Sequence, residues 1–318
     1  MTNVWQGLDH EHIFSAVEKV LDDKLNSLLI QRNSYINRVY ELERKSGKER
    51  LIAKFYRPGR WTKEMILEEH KFLGELKEKE VPVIAPLSMN NTTLHSQDNI
   101  HFALFPKMGG RAIDEFDKDS WENIGRHLAR IHMIGSLHKR SNRITWRPGI
   151  ATKHHIELLH RTEFVMPDFR KSFDTAAELF IKKADPLFEG HEMFLIHGDC
   201  HKGNLIHRPG EGIWIIDFDD ICVGPPAQDV WMLLPGSIED HQEEFGWFLK
   251  GYSTFREFEM RSLKLVPALR GMRIIHFISW LAVQSKDPHF HKHFPDTGTP
   301  KYWNETIKEL QNIIYGEL

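Results

Sequence analysis

Cysteine is nearly absent from this 318-residue chain, which has two, Cys200 and Cys222. So few exclude a disulfide framework and suit a reducing cytoplasm, the expected location. Charge of one sign is also lacking. The 42 Lys and Arg against 45 Asp and Glu leave a formal net charge of −3, with no long basic run. No nucleic-acid partner is expected, because backbone phosphates demand concentrated positive charge. No apolar run reads as long enough to span a bilayer, and Met1 to His10 lacks the charged-then-apolar layout of a signal peptide. No membrane partner is expected either, and the chain reads as a monomer. Internal repeats and low-complexity segments are missing. What remains is 41% apolar and 27% charged residues, enough to bury one large core or two moderate ones.

The informative segment is His197-Gly198-Asp199-Cys200-His201-Lys202-Gly203-Asn204, followed by Ile216-Asp217-Phe218-Asp219. An Asp, an Asn five positions on, and a second Asp after a short apolar run form the layout of a phosphoryl-transfer site. There the first Asp takes the proton of an acceptor hydroxyl, while the Asn and second Asp hold Mg²⁺ against nucleotide phosphates. An apolar hairpin, Asn204 to His207 and Gly212 to Ile216, is expected to bring Asp217 beside Asn204, turning at Arg208-Pro209-Gly210. Apolar runs precede both acids, and charges set between buried strands are costly unless something pairs with them.

Along the chain, Glu11 to Leu21 has helical spacing with Asp9 as N-cap. Leu25 to Gln31, Ile36 to Leu42 and Leu51 to Tyr56 read as an antiparallel meander. Trp61 to Lys79 reads as a helix capped by Thr62, Val81 to Pro86 as extended chain, and short strands are expected near Thr93 and at Ile100 to Phe105. Met108-Gly109-Gly110 reads as a hinge. Helices are expected at Ser120–Leu137, Ser172–Phe188, Asp240–Phe258, Ser262–Ala282 and Tyr302–Tyr315.

If the downstream segment takes Mg-ATP, the β-rich part needs a cation for the phosphates. Lys54, within Leu51 to Tyr56, fits on an inward-facing strand, with the edge-strand lysine as the bland alternative. An inward Lys needs an anionic partner, and Glu69 is favoured over Glu68 because Ile66, His70 and Leu73 share its packed side. The turn Asn33-Ser34-Tyr35-Ile36-Asn37 lacks G-x-G-x-x-G. Two readings of Ser34 stand, a donor to phosphate or part of a polar hairpin turn. Asp229 is expected to cap its helix and order the catalytic loop, and His197 to position the loop backbone. Arg111 reads as solvated rather than as a substrate contact. His154-His155 and His289/His291/His293 read as surface histidines rather than a metal site, because no ligand set is completed.

Residues His197 to Asn204 and Ile216 to Asp219 resemble the aminoglycoside phosphotransferase/choline kinase branch of the protein-kinase-like fold. Further blocks resemble the bacterial stress response kinase A family: Asn33-Ser34-Tyr35, Asn37-Arg38-Val39-Tyr40, Lys54 to Pro58, Arg60-Trp61-Thr62, Ile66 to His70, Val81-Pro82-Val83, Gln228-Asp229 and Trp231 to Leu234. They run from about residue 33 to 303. The resemblance implies an α+β, bilobal protein-kinase-like fold, with a small antiparallel β N-lobe (1–107) and a larger, mostly helical C-lobe (108–318). It implies a cytoplasmic, ATP- and Mg²⁺-dependent Ser/Thr protein kinase of the stress response. By position, Asp199 is the proton acceptor, Asn204 and Asp217 are the magnesium ligands, Asp217 is also an active-site acid, and Ser34 is a nucleotide contact. Lys202 and Phe218 occupy positions where relatives vary.

The adenine is then expected in the interlobe cleft against Phe105 to Met108, with Lys54 on the phosphates. Between Asp217 and Gly236 there is no Ser, Thr or Tyr, so control by phosphorylation within that segment is excluded. Three rival readings compete with this one. A small-molecule kinase of the aminoglycoside, choline or homoserine type would need an acidic and aromatic pocket for a cationic acceptor, for which Asp219, Asp220, Trp231, Trp280 and Trp303 are the candidates. The preferred alternative makes the tryptophans core and the extra acids solvated. A pseudokinase would lack at least one of Lys54, Asp199, Asn204 and Asp217. A thiol switch at Cys200 is disfavoured by the neighbouring Asp199 carboxylate.

Overall fold

The computed structural model describes residues 5, 7–32, 34, 36–286 and 290–318. Its architecture is α+β, and its contacts group it into two compact units. The first contains Met1–Asn142, His201–Ile221 and His241–Arg256, and the second contains Arg143–Cys200, Cys222–Asp240 and Glu257–Leu318. Elements are numbered in chain order.

In the first unit, helix α1 (His10–Leu21) begins where Asp9 accepts a hydrogen bond from the His12 amide. Strands β1 (Leu25–Arg32), β2 (Arg38–Arg44) and β3 (Arg50–Phe55) form the expected meander. It is extended by β5 (Ile100–Pro106) and β4 (His95–Gln97), giving the order β1-β2-β3-β5-β4, antiparallel throughout. The strand expected near Thr93 starts later. Asn90 and Asn91 adopt left-handed conformations and turn the chain there, with Met89 bridging Thr92. Helix α1 packs Ile13 and Val17 against a sheet core of Leu42, Leu51, Phe55 and Phe102. Helix α2 (Lys63–Glu78) is capped by Thr62 as expected. A second sheet joins β6 (Arg111–Ala112), β8 (Leu205–Arg208) and β9 (Gly212–Ile215). Gly110 enters it closely, since a Cβ there would lie 2.7 Å from Ile206 Cδ1.

Helices α3 (Lys118–Gly135) and α7 (Gln242–Tyr252) complete this unit. The expected helix Asp240–Phe258 is shortened because Ser253 and Thr254 turn their hydroxyls back onto the Lys250 carbonyl. The two helices approach through reciprocal glycines. A Cβ on Gly125 would lie 2.2 Å from the Phe248 carbonyl oxygen, and one on Gly251 would lie 1.9 Å from that of Glu122.

The second unit pairs β7 (Phe194–Ile196) with β10 (Cys222–Gly224). Around them lie α4 (Lys153–Thr162), α5 (Pro167–Ala184), α6 (Ala227–Trp231), α8 (Val266–Gln284), α9 (Phe290–His293) and α10 (Pro300–Asn312). The sequence pattern did not reveal α4, and α5 starts earlier than expected because Pro167 opens its first turn. Phe173, Phe180, Leu269, Ile275 and Trp303 anchor the core. The stretch Met260–Gln284 corrects one expectation. By length and apolar composition it would suffice to cross a bilayer, and half of its most apolar window is buried inside the protein. Arg270 and Arg273 interrupt the run and conceal its apolar character.

Replacing Gly251 by Ala should drive α7 off α3 and cost about 3 kcal/mol or more, read from urea midpoints. His127 of α3 supplies a pH test. Burial, with help from Arg130 and Arg126, lowers its pKa from 6.5 to about 4. Below pH 6.5 the unfolded chain takes up a proton that the folded chain refuses, so stability should fall as pH drops from 6.5 to 4. The loss should be roughly 2 kcal/mol, and His127→Gln should lack that component of the slope.

Candidate active site

Lys54 sits on β3, paired with Val39 and Ala103, and is surrounded by carboxylates. Its ammonium lies 3.7 Å from Glu69 of α2 and in direct contact with Asp219. Burial works to lower the Lys54 pKa, but Asp219, Glu69 and Asp217 more than offset it and hold the pKa above the usual lysine value. Glu69 is 1% exposed and shares its packed helix side with Ile66, His70 and Leu73. Glu68 turns instead to the Asn142 amide, at 2.7 Å.

Asp219 is the residue whose role the sequence reading missed. It was expected to be solvated, yet it is 4% exposed. It contacts Lys54, accepts from the Asn37 side chain, and lies 3.6 Å from Arg60. Burial would raise its pKa, but Lys54 and Arg60 pull it below the usual carboxylate value. Arg60 also grips both oxygens of Asp220, at 2.6 and 2.9 Å. Asn37 ties this network to the sheet by accepting from the Arg57 amide at 3.1 Å. The available signal was the density of acid in Asp217-Phe218-Asp219-Asp220, which no short apolar turn can bury without cations.

The expected hairpin forms, with Leu205 opposite Ile215 and Arg208 opposite Gly212. The Ile216 amide donates to the Asn204 carbonyl at 2.9 Å, so the backbones leading to Asn204 and Asp217 run side by side. Asp217 holds a left-handed conformation at φ +63, which Asp tolerates better than most residues. It redirects the chain so that Phe218 packs edge-on against Phe72 of α2. An amide and a carboxylate are hard oxygen donors of the kind that would suit a divalent cation such as Mg²⁺. Among the described residues, no cluster of three His, Cys, Asp or Glu side chains forms a metal-binding group. Ser34 is half-buried, while Asn33 and Tyr35 lie outside the described residues.

In the second unit, Asp199 follows β7. The Asp229 carboxylate accepts from the His197 amide at 2.8 Å and the Gly198 amide at 2.7 Å, and Gln228 donates to the Gly198 carbonyl at 3.0 Å. His197 is fully buried, and its Nδ1 accepts from the Asp199 amide at 3.3 Å. Gly198 sits at φ +82, a conformation that glycine adopts without strain. Arg273 of α8, another residue the sequence reading missed, places Nη1 2.9 Å from Asp199 Oδ1. Cys200 is buried, and burial, then the Asp229 and Asp199 charges, push its thiol well above the usual value. That opposes a reactive thiolate. His154, His291 and His293 are exposed, and His289 lies outside the described residues. His155 departs from the surface reading, because it is half-buried against Trp146 and His276. Arg111 is exposed.

Asp219→Ala should leave Lys54 and Arg60 undercompensated and destabilise the protein by about 3 kcal/mol, compared by urea unfolding with a milder Asp220→Ala. Equal losses for the two variants would remove Asp219 from the centre of the network.

The sequence profile of the phosphotransferase enzyme family matches residues 29–266. Stress response kinase A of Escherichia coli K12 is 34% identical over 285 residues, covering 88% of this chain and 85% of that protein. The serine/threonine protein kinase RdoA of Salmonella typhimurium is 35% identical over 302 residues, covering 92% and 89%. Among solved structures, amicoumacin kinase hAmiN in complex with AMP-PNP, Ca²⁺ and Ami superposes with a TM-score of 0.74 at 18% identity, covering 96% of this chain and 93% of that one. Spectinomycin phosphotransferase APH(9)-Ia gives 0.63 at 15% identity, covering 97% and 99%. The fold is therefore that of the kinase-like phosphotransferases, and the chain belongs to the phosphotransferase enzyme family together with the stress response kinase A proteins.

Proposed function

We propose that this phosphotransferase moves the γ-phosphoryl group of Mg-ATP to a Ser or Thr hydroxyl of a protein. The observation that carries the choice of acceptor is the engagement of the spare acids. A pocket for a cationic amine would draw on Asp219 and Asp220, and both are neutralised by Lys54 and Arg60. Trp303, offered for the same pocket, is fully buried in the core, and the Trp231 indole donates to Gln228. The RdoA relative, named a serine/threonine protein kinase, supports the same reading.

In this mechanism Lys54, steadied by Glu69, pairs with the nucleotide phosphates, and the turn at Ser34 donates to them. The adenine lies against Phe105 to Met108. Asn204 and Asp217 would hold Mg²⁺, which supplies charge neutralisation at the transferring phosphoryl group. Asp199 orients the acceptor hydroxyl. As the hydroxyl oxygen bonds to the γ-phosphorus and the bond to ADP breaks, the hydroxyl proton passes to the Asp199 carboxylate. Positioning and charge compensation supply most of the rate gain. The reading places the enzyme in the cytoplasm, acting as a monomer.

With labelled ATP, the purified protein should phosphorylate a generic protein acceptor and spare a panel of amino alcohols and aminoglycosides; the opposite preference rejects the reading. Asp199→Ala should fold normally, keep Mg-ATP binding and lose transfer by about a thousandfold. Asp217→Ala should lose Mg-ATP affinity, followed by calorimetry.

A further inference from the structure

Arg273 brings a cation directly onto the residue assigned as proton acceptor. Its guanidinium carries five N–H donors in a rigid fork, and here Nη1 meets Asp199 Oδ1 at 2.9 Å. No other ion pair or hydrogen bond engages Arg273 among the described residues. The ion pair fixes one end of the guanidinium against Asp199, and the side chain is 30% exposed, so it is open in part to solvent. A guanidinium presented in this way is suited to a second oxyanion, which it binds through charge-assisted, geometrically specific hydrogen bonds.

Helix α8 sets no opposing charge beside Arg273, since it has no Asp or Glu along its length. Its other arginine, Arg270, is occupied by Glu317 at 3.0 Å. One turn beyond Arg273, the His276 ring lies 4.8 Å from that of His155 and 5.3 Å from that of Trp146. Asp199 therefore faces α8 through a cation. A cationic acceptor approaching Asp199 would be repelled by Arg273, whereas an anionic one would gain a partner.

We propose that Arg273 is an acceptor-specificity residue, and that the acceptor carries a carboxylate near its hydroxyl, as in a Ser or Thr flanked by Asp or Glu. This rests on the protein-kinase reading of the same site and narrows it to acidic substrate segments. By gripping one oxygen of Asp199 and the flanking carboxylate together, Arg273 fixes the distance between the proton acceptor and the substrate backbone.

The test uses the full chain with Mg-ATP and three sets of acceptors. These are Ser peptides flanked by Glu, Gln or Lys, small free hydroxy acids, and amino alcohols. The wild type should favour Glu-flanked over Gln-flanked peptides by about tenfold in kcat/KM, the worth of one charge-assisted hydrogen bond. Arg273→Gln should erase that ratio, Arg273→Lys should restore part of it, and Arg273→Glu should favour the Lys-flanked peptide. Thermal shift with Mg-ATP reports folding of each variant. A purely structural role would lower all rates together and leave the ratios unchanged. Unchanged ratios, or a wild-type preference for uncharged or basic peptides, overturn the inference while leaving protein phosphorylation in place. Transfer to hydroxy acids but not peptides, lost in Arg273→Glu, upholds the anion preference and overturns the protein acceptor. Transfer to amines alone overturns both.

Discussion

The first unit is organised around the cost of burying Lys54. An ammonium withdrawn from water survives only where carboxylates surround it, and here Asp219 and Glu69 do so at close range. Each partner arrives on a different piece of chain. Lys54 comes from the five-stranded sheet, Glu69 from α2, and Asp219 from the turn after the β8–β9 hairpin. The charge requirement therefore aligns three elements that the sequence keeps far apart, and Arg60 and Asn37 complete the compensation around Asp219. Phe218, between Asp217 and Asp219, adds an apolar anchor on Phe72, so the turn is fixed to α2 by packing as well as by charge.

The second unit solves a related problem with neutral donors. The loop holding Asp199 has backbone amides that would otherwise lie unpaired in a buried setting, and the Asp229 carboxylate takes two of them. Gln228 takes the Gly198 carbonyl, so one helical turn of α6 satisfies both polarities of the loop. The positions of Asp199 and its neighbours are thereby set by hydrogen bonds rather than by side-chain packing alone.

Local features were legible in the sequence wherever one segment decides its own structure. Asp9 and Thr62 mark helix starts because a capping side chain acts on amides two or three residues away. The β8–β9 hairpin was legible from two short apolar runs flanking turn residues. The choice of Glu69 over Glu68 followed from helical spacing. Features that depend on distant pairs were not legible. Nothing near Asp219 in the sequence names Lys54 or Arg60 as its partners, and nothing in the apolar run of α8 marks Arg273 for Asp199. Gly125 and Gly251 look like weak points in their helices until the backbones they admit are known. Helix α4 was missed because Lys153 to Thr162 is short and largely polar on its outer side.

Both cysteines belong to the second unit and both are buried, Cys200 beside the Asp199 loop and Cys222 on β10. The first unit has none. A thiol reagent added to the native protein therefore reports openings of one half of the molecule alone, and its labelling rate gauges how often that half loosens. Ligands that bind and tighten only the other half would leave that rate untouched, which gives the chain a built-in means of telling the two apart.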